Sequence, residues 1–242
     1  KKISAIIPVH IFGNPAQLEL IKTISEEWNI PILEDSAEAL GSWFIKNNKK
    51  IHCGLIGKLG AISFNGNKII TSGGGGALIT NDKKYADLAR HISTTAKIPH
   101  PWEFNHDLVG WNDRMPNINA ALGLSQLEKL DLFLEKKKKL FFIYSNLFSN
   151  IENVEIFKPS NSSISNYWLN TIKFTDLDIK KVQKNINIVL EKSHQKGFLL
   201  RPAWKALHTL KMYKKNPRSL CKKGEDLSLR LINLPSSPSL ID

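Results

Sequence analysis

Apolar positions in the first part of the chain follow two periods. Residues 3–9 are apolar apart from Ser4 and Pro8 and predict a buried strand. Residues 17–28 set Leu18, Ile21, Ile24 and Trp28 at helical spacing, and Asn14 before Pro15 marks a helix start. Residues 30–34 form the next short apolar run, a second strand. Strand, helix, strand implies a βαβ unit, hence an α/β fold with a mainly parallel sheet and a right-handed crossover. Ligands of such sheets gather beyond the carboxyl ends of the strands. Asp35 lies at such an end.

The pattern continues with strands over 60–65 and 76–80, flanking a loop that carries Lys68 and Gly73-Gly74-Gly75-Gly76. Residues 83–96 predict a helix with Tyr85, Leu88, Ile92 and Thr95 in register. An irregular stretch over 98–111 is rich in His, Pro and Trp. Pro116 opens a long helix through about Lys139, along which lie Ile118, Leu122, Leu127 and Leu130. The domain boundary is placed at this helix, giving a larger domain over 1–135 and a smaller α+β domain over 136–242. In the latter, 154–158, 167–174 and 198–201 predict strands, and 179–196 and 225–232 predict helices. No internal repeat is visible. The chain opens without methionine inside what reads as a central strand, which expects neighbours on both sides, so a segment of a longer protein is expected.

Composition narrows the setting. With 242 residues, 42% of them hydrophobic, the chain can bury a substantial core. No apolar run approaches the roughly 18 residues of a membrane span. Lys1-Lys2 precede an apolar run, but Pro8 and His10 break it and no small-residue cleavage site follows, so no signal peptide is expected. Cys53 and Cys221 are far apart and form no metal-ligand pattern; they fit free thiols in a reducing cytoplasm. The net charge of +12 comes largely from lysine, much of it in runs such as Lys136 to Lys139. These runs read as solvated surface. Without aromatic-basic interleaving they do not predict a nucleic-acid partner, although they suit a negatively charged small substrate.

Three groups then stand out. Asp35 is an acid at a strand end, and Ser63 and Lys68 precede a glycine loop. Pyridoxal phosphate needs a lysine for its aldehyde, a carboxylate for its ring nitrogen and small donors for its phosphate. A lysine that attacks an aldehyde must be neutral, and its unperturbed pKa is about 10.4. Each residue also has a plain structural reading: Asp35 as a helix cap, Ser63 as an inward strand residue, the glycines as a tight hairpin.

The combination resembles the DegT/DnrJ/EryC1/StrS sugar aminotransferases, pyridoxal-phosphate enzymes of the aspartate aminotransferase fold (fold type I). Four motifs carry the resemblance in order: Pro8-Val9-His10 with Gly13; Glu34-Asp35-Ser36-Ala37-Glu38-Ala39-Leu40-Gly41; Ser63-Phe64 with Lys68 and the glycines; and Gly110-Trp111-Asn112-Asp113-Arg114-Met115 opening Asn117 to Gly123. Asn166-Tyr167-Trp168-Leu169-Asn170, Arg201-Pro202-Ala203-Trp204 with Leu207-His208, and Asn233-Leu234-Pro235-Ser236 resemble the LegC-like branch.

The resemblance implies that 1–135 is a partial cofactor-binding large domain. It makes Lys68 the Schiff-base residue and Asp35 the partner of the ring nitrogen. It sets Ser63 at the phosphate and His10 close to the cofactor. Glu38 falls where many relatives stack His or Gln on the cofactor ring. Asn112 would reach the cofactor phosphate of a partner subunit in a homodimer with shared sites. Arg201, Trp204 and His208 would lie near the sugar nucleotide. The implied reaction takes an amino group from glutamate to the 4-keto carbon of a UDP-linked 4-keto-6-deoxy-N-acetylhexosamine, toward legionaminic-acid-type or bacillosamine-type sugars. Lys68 argues against the related dehydratases, which carry histidine there. The resemblance also implies a preceding region with a phosphate-binding turn, outside these 242 residues. The alternative is a truncated, non-catalytic binding or assembly protein.

Overall fold

Pairing at the start of the chain is parallel. The computed structural model describes residues 3–241. Ile6 N–H donates to Pro31 O, Leu33 N–H to Ile6 O, Asp35 N–H to Pro8 O and His10 N–H to Asp35 O. Pro8 has no N–H, so one rung is missing. The predicted strand over 3–9 is therefore reduced to bridges at Ile6 and Val9, beside β1 (Leu33–Asp35). Nor is it buried throughout. Ile3, Ile7 and Val9 are exposed while Pro8 and His10 are buried, because alternate strand residues point to opposite faces.

α1 (Leu18–Trp28) connects the two paired segments and buries Leu18 completely. Asn29, at φ +50°, ends it. β2 (Trp43–Lys46) and β3 (Lys49–His52) form an antiparallel hairpin absent from the sequence expectation. Its loop, Asn47-Asn48, holds φ +49° and +60°, the left-handed geometry of a two-residue hairpin turn. β4 (Leu59–Ser63) pairs parallel to β1, and β5 (Gly76–Ile79) pairs antiparallel to β4. Gly76 is required there: a Cβ would lie 2.3 Å from Ile62 O.

α2 (Lys83–Ser93) stops short of the predicted Ala96. Thr95 and Ala96 take φ +67° and +50°, and Ala96 N–H turns back to His91 O. The predicted long helix is two, α3 (Asn117–Leu127) and α4 (Leu130–Phe148). Lys129 N–H bonds Gln126 O, an i→i−3 contact that tightens the turn between them. Among the described residues no helix is long and apolar enough to cross a membrane.

The chain divides into two compact units. The first holds the residues up to Glu135 together with Pro159–Trp168, and the second holds Lys136–Lys158 and the residues from Leu169 on. A single cut after residue 135 therefore misplaces one segment. β6 (Val154–Ile156) belongs to the second unit, but β7 (Ser163–Ile164) pairs with β2 in the first. Asn166 secures the segment. Its Nδ2 donates to Glu38 O at 2.7 Å and Leu40 O at 2.8 Å, and its Oδ1 accepts Trp168 N–H at 2.8 Å. Gly13 lies against this knot, where a Cβ would be 1.8 Å from Asn166 Oδ1.

In the second unit β8 (Thr171–Phe174), β9 (Arg201–Pro202) and β10 (Leu231–Asn233) join β6 in an antiparallel sheet of order β6-β8-β10-β9. α5 (Ile179–Gln195) buries Val182 and Ile186, and the Asp178 side chain caps its start. The helix predicted over 225–232 is instead α6 (Lys222–Ser228), and Leu231 and Ile232 belong to β10. Pairing with β8 takes over those residues and overrides local helical spacing. The lysine run is not all solvated either. Lys137, 4% exposed, shares a helix face with Leu140 and Phe141, and its Nζ donates to Ser236 O at 2.5 Å. Burial pushes its pKa down to about 8.

Asn166→Ala would leave two buried carbonyls and one N–H without that amide. The substitution is expected to lower unfolding free energy by about 3 kcal/mol, read from the denaturant midpoint. A loss below about 1 kcal/mol would show that the knot is not structurally important.

Candidate active site

β1 ends in two carboxylates, Glu34 and Asp35, which strand geometry sends to opposite faces. Glu34 is 2% exposed. It accepts N–H bonds from Gly54 at 2.8 Å, Ile56 at 2.7 Å and Gly57 at 2.6 Å, and lies 3.1 Å from His10 Nε2. Ala16 N–H donates to His10 Nδ1, so the ring proton on Nε2 is directed at Glu34. Burial alone would push Glu34 up. The bonds from His10, Gly57 and Gly54 outweigh it and hold the carboxyl below its ordinary value. His10 is fully buried with both nitrogens engaged, and it braces the strand end. Close by, His52 Nε2 accepts Gly41 N–H at 3.0 Å, and burial pushes the His52 pKa below its ordinary value.

Asp35, half-buried on the opposite face, uses Oδ1 to accept Ala37 N–H at 3.1 Å. The loop between β4 and β5 lies beyond the same end of the sheet. Lys68 N–H donates to Asn65 O, Ser72 N–H to Phe64 O and Phe64 N–H to Gly75 O. Asn119 Nδ2 adds a bond to Ser72 O at 2.6 Å. Gly73 and Gly75 hold φ +81° and +80°, which needs glycine. Ile69 and Ile70 are buried and fix the residue before them, Lys68.

The Lys68 side chain is 13% exposed and its Nζ lies 3.5 Å from Glu38 Oε1. On another side Nζ sits 4.2 Å from the centre of the Trp168 ring. Trp168 Nε1 donates to Asn67 O at 2.7 Å, next to the lysine. The other Glu38 oxygen accepts Phe12 N–H at 2.7 Å, and Phe12 holds φ +58°. Burial pushes the Glu38 pKa above its ordinary value, Phe12 and Lys68 pull it back, and the charge of Asp35 adds to the upward push. Asp35, Glu38 and Lys68 therefore share one electrostatic neighbourhood.

Ser63, at the end of β4, is half-buried and its Oγ accepts Asn65 N–H at 3.3 Å. Asn112 is exposed and bridges Thr94. Arg201, Trp204 and His208 lie in the second unit. Arg201 and Trp204 are exposed there, whereas His208 Nε2 is held at 2.5 Å from Glu225 Oε1. Three contributors escaped sequence reasoning. Glu34 could have been noticed, since an acid inside an apolar run needs partners. Trp168 lies in a motif that carries the family resemblance, but its place beside Lys68, like that of Phe12 beside Glu38, comes from residues distant in the chain. The donor set fits pyridoxal phosphate: a partly shielded primary amine, a strand-end carboxylate, and a hydroxyl beside a glycine loop.

The family profile that matches residues 1–242 is that of the DegT/DnrJ/EryC1/StrS aminotransferases. GDP-perosamine synthase of Escherichia coli O157:H7 is 35% identical over 245 residues, covering 99% of this chain and 62% of that protein. GDP-perosamine synthase of Vibrio cholerae is 32% identical over 243 residues, covering 100% of this chain and 64% of that protein. Among solved structures, Helicobacter pylori PseC, an aminotransferase involved in the biosynthesis of pseudoaminic acid, has a TM-score of 0.86 at 25% identity, covering 98% of this chain and 62% of that one. The chain thus spans less than two thirds of these relatives' length. Its architecture is that of the fold type I pyridoxal-phosphate transferases. The chain belongs to the DegT/DnrJ/EryC1/StrS aminotransferase family.

With its folded pKa below the ordinary 6.5, His52 takes up a proton less readily in the folded chain than in the unfolded one. Stability from this group is full above pH 6.5 and is lost as pH falls through that value. His52→Gln keeps an acceptor for Gly41 without titrating. The variant is expected to flatten the fall in denaturant midpoint as pH drops below 6.5. An unchanged slope would remove His52 from the pH response.

Proposed function

We propose that this protein is a pyridoxal-phosphate-dependent aminotransferase that delivers an amino group from glutamate to a keto carbon of a nucleotide-linked sugar, in the cytoplasm. The observation that carries this reading is the cluster of Lys68, Glu38 and Asp35 at the end of β1, in a chain that matches an aminotransferase family along its length. Bound there, the cofactor supplies an aldehyde that exchanges amino groups and a ring that draws electrons from the adjoining carbon. Lys68 would provide the amine that holds it and would serve as the proton-carrying base beside it. Asp35 pairs with the ring nitrogen and keeps it protonated. Ser63 would hydrogen-bond the phosphate, with Asn112 serving the partner subunit of a homodimer.

Arg201 and Trp204 are the proposed contacts for the nucleotide sugar. His208, already held by Glu225, presents its ring face or its Nδ1. The proposed substrate is a UDP-linked 4-keto-6-deoxy-N-acetylhexosamine. A GDP-linked keto sugar is the second reading, favoured by the likeness to two GDP-perosamine synthases.

Lys68→Ala is expected to lower glutamate-dependent amination by roughly a thousandfold and to abolish borohydride-fixed cofactor on the peptide containing residue 68. Retained amination in that variant would sink the mechanism. Assaying UDP- and GDP-linked keto sugars side by side decides the nucleotide. Failure to bind the cofactor at all would favour a binding protein.

A further inference from the structure

The reacting amine of the proposed function does not stand free. Lys68 Nζ lies between a carboxylate at 3.5 Å and an aromatic face at 4.2 Å. We propose that Glu38 and Trp168 are positioning residues for this amine: the Glu38 carboxylate is the counter-ion of the Lys68 ammonium, and the Trp168 ring is the floor on which it rests. The proposal rests on the reading of Lys68 as the reacting group. It gives Glu38 a role in holding the lysine, at a position where the family resemblance implies a residue stacked on the cofactor ring.

Both walls are fixed from behind, which separates a built site from a chance contact. Glu38 Oε2 is occupied by Phe12 N–H at 2.7 Å, so the carboxylate turns its other oxygen toward Lys68. Phe12 is 3% exposed and sits at φ +58°, a conformation that a non-glycine residue adopts only when its surroundings impose it. Trp168 is likewise 3% exposed and tied through Nε1 to Asn67 O. A single side chain links the two walls: Asn166 donates to Glu38 O and accepts from Trp168 N–H. The Lys68 and Glu38 side chains are each 13% exposed, so their attraction is screened less than that of a surface pair. The ring face adds a cation–π contribution of about 1 kcal/mol or less. Among the described residues the Glu38 carboxylate is the charged group within 4 Å of the amine, and the charge of Asp35 acts on Glu38.

Amine labelling tests this without the cofactor. Trinitrobenzenesulfonate reacts with neutral amines, and peptide mass spectrometry reads Lys68 against exposed Lys83 in the same sample. In the protein without added pyridoxal phosphate, Glu38→Gln is expected to label Lys68 roughly three- to tenfold faster at neutral pH, with Lys83 unchanged. The gap should narrow at strongly alkaline pH, where amines in general are neutral and a counter-ion no longer protects them. Glu38→Asp, which restores the charge, should return the rate toward that of the parent. Trp168→Phe keeps a weaker aromatic face and should speed labelling less than Glu38→Gln does. An unchanged Lys68 rate in Glu38→Gln would overturn the proposal. So would an equal increase at every pH, the signature of a merely loosened loop. Borohydride fixation of cofactor on the parent protein is scored separately. Faster labelling without fixation would leave the brace standing and remove the enzymatic reading, whereas fixation without a labelling change would do the reverse.

Discussion

The first unit is organised around the buried carboxylate of Glu34. A carboxylate almost wholly out of water is tolerable only with its lone pairs satisfied. Here three backbone N–H groups and a histidine satisfy them. The requirement ties the turn around Gly54 to Gly57, the segment carrying His10, and the end of β1 to one point. With Glu34 facing inward, strand alternation leaves Asp35 no choice of face. Asp35 is thus aimed by a neighbouring acid whose own oxygens are taken up by backbone N–H groups and a histidine.

The same economy appears around Lys68. A lysine after a strand is ordinarily a flexible surface cation. Buried Ile69 and Ile70 remove much of that freedom, and the glycine conformations behind them close the loop back on Phe64. Glu38 then places a negative charge beside the amine, and its own neighbours push it in opposing directions: burial and Asp35 against Phe12 and Lys68. An arrangement balanced in this way responds to the loss of any one member.

Much of the first unit was legible from local pattern. Periodicity located α1, β1, β4, β5 and α2 within a few residues, and the order of acid, serine, lysine and glycines pointed to cofactor chemistry. The Asn47-Asn48 turn was legible too, since asparagine pairs favour that hairpin geometry and the apolar run Trp43-Phe44-Ile45 precedes it. Errors arose where long-range pairing overruled local preference. Leu231 and Ile232 suit a helix by spacing, yet they complete a sheet whose other strands lie far away in the chain. Lys137 belongs to a run that reads as solvated, yet helical phase turns one of those lysines inward.

The sequence by itself determined α1, β1, β4, β5 and α2, the candidate residues Asp35, Ser63 and Lys68 and, through the resemblance of its motifs, the family, because these signals lie within single stretches of chain. Only the tertiary structure decided what surrounds the amine. Trp168 reaches Lys68 because β7 pairs with β2 and Asn166 binds the backbone of Glu38 and Leu40. It also decided that His10 supports Glu34. Contacts between residues a hundred positions apart depend on strand register and close packing, and neither quantity is written in any local window of the sequence.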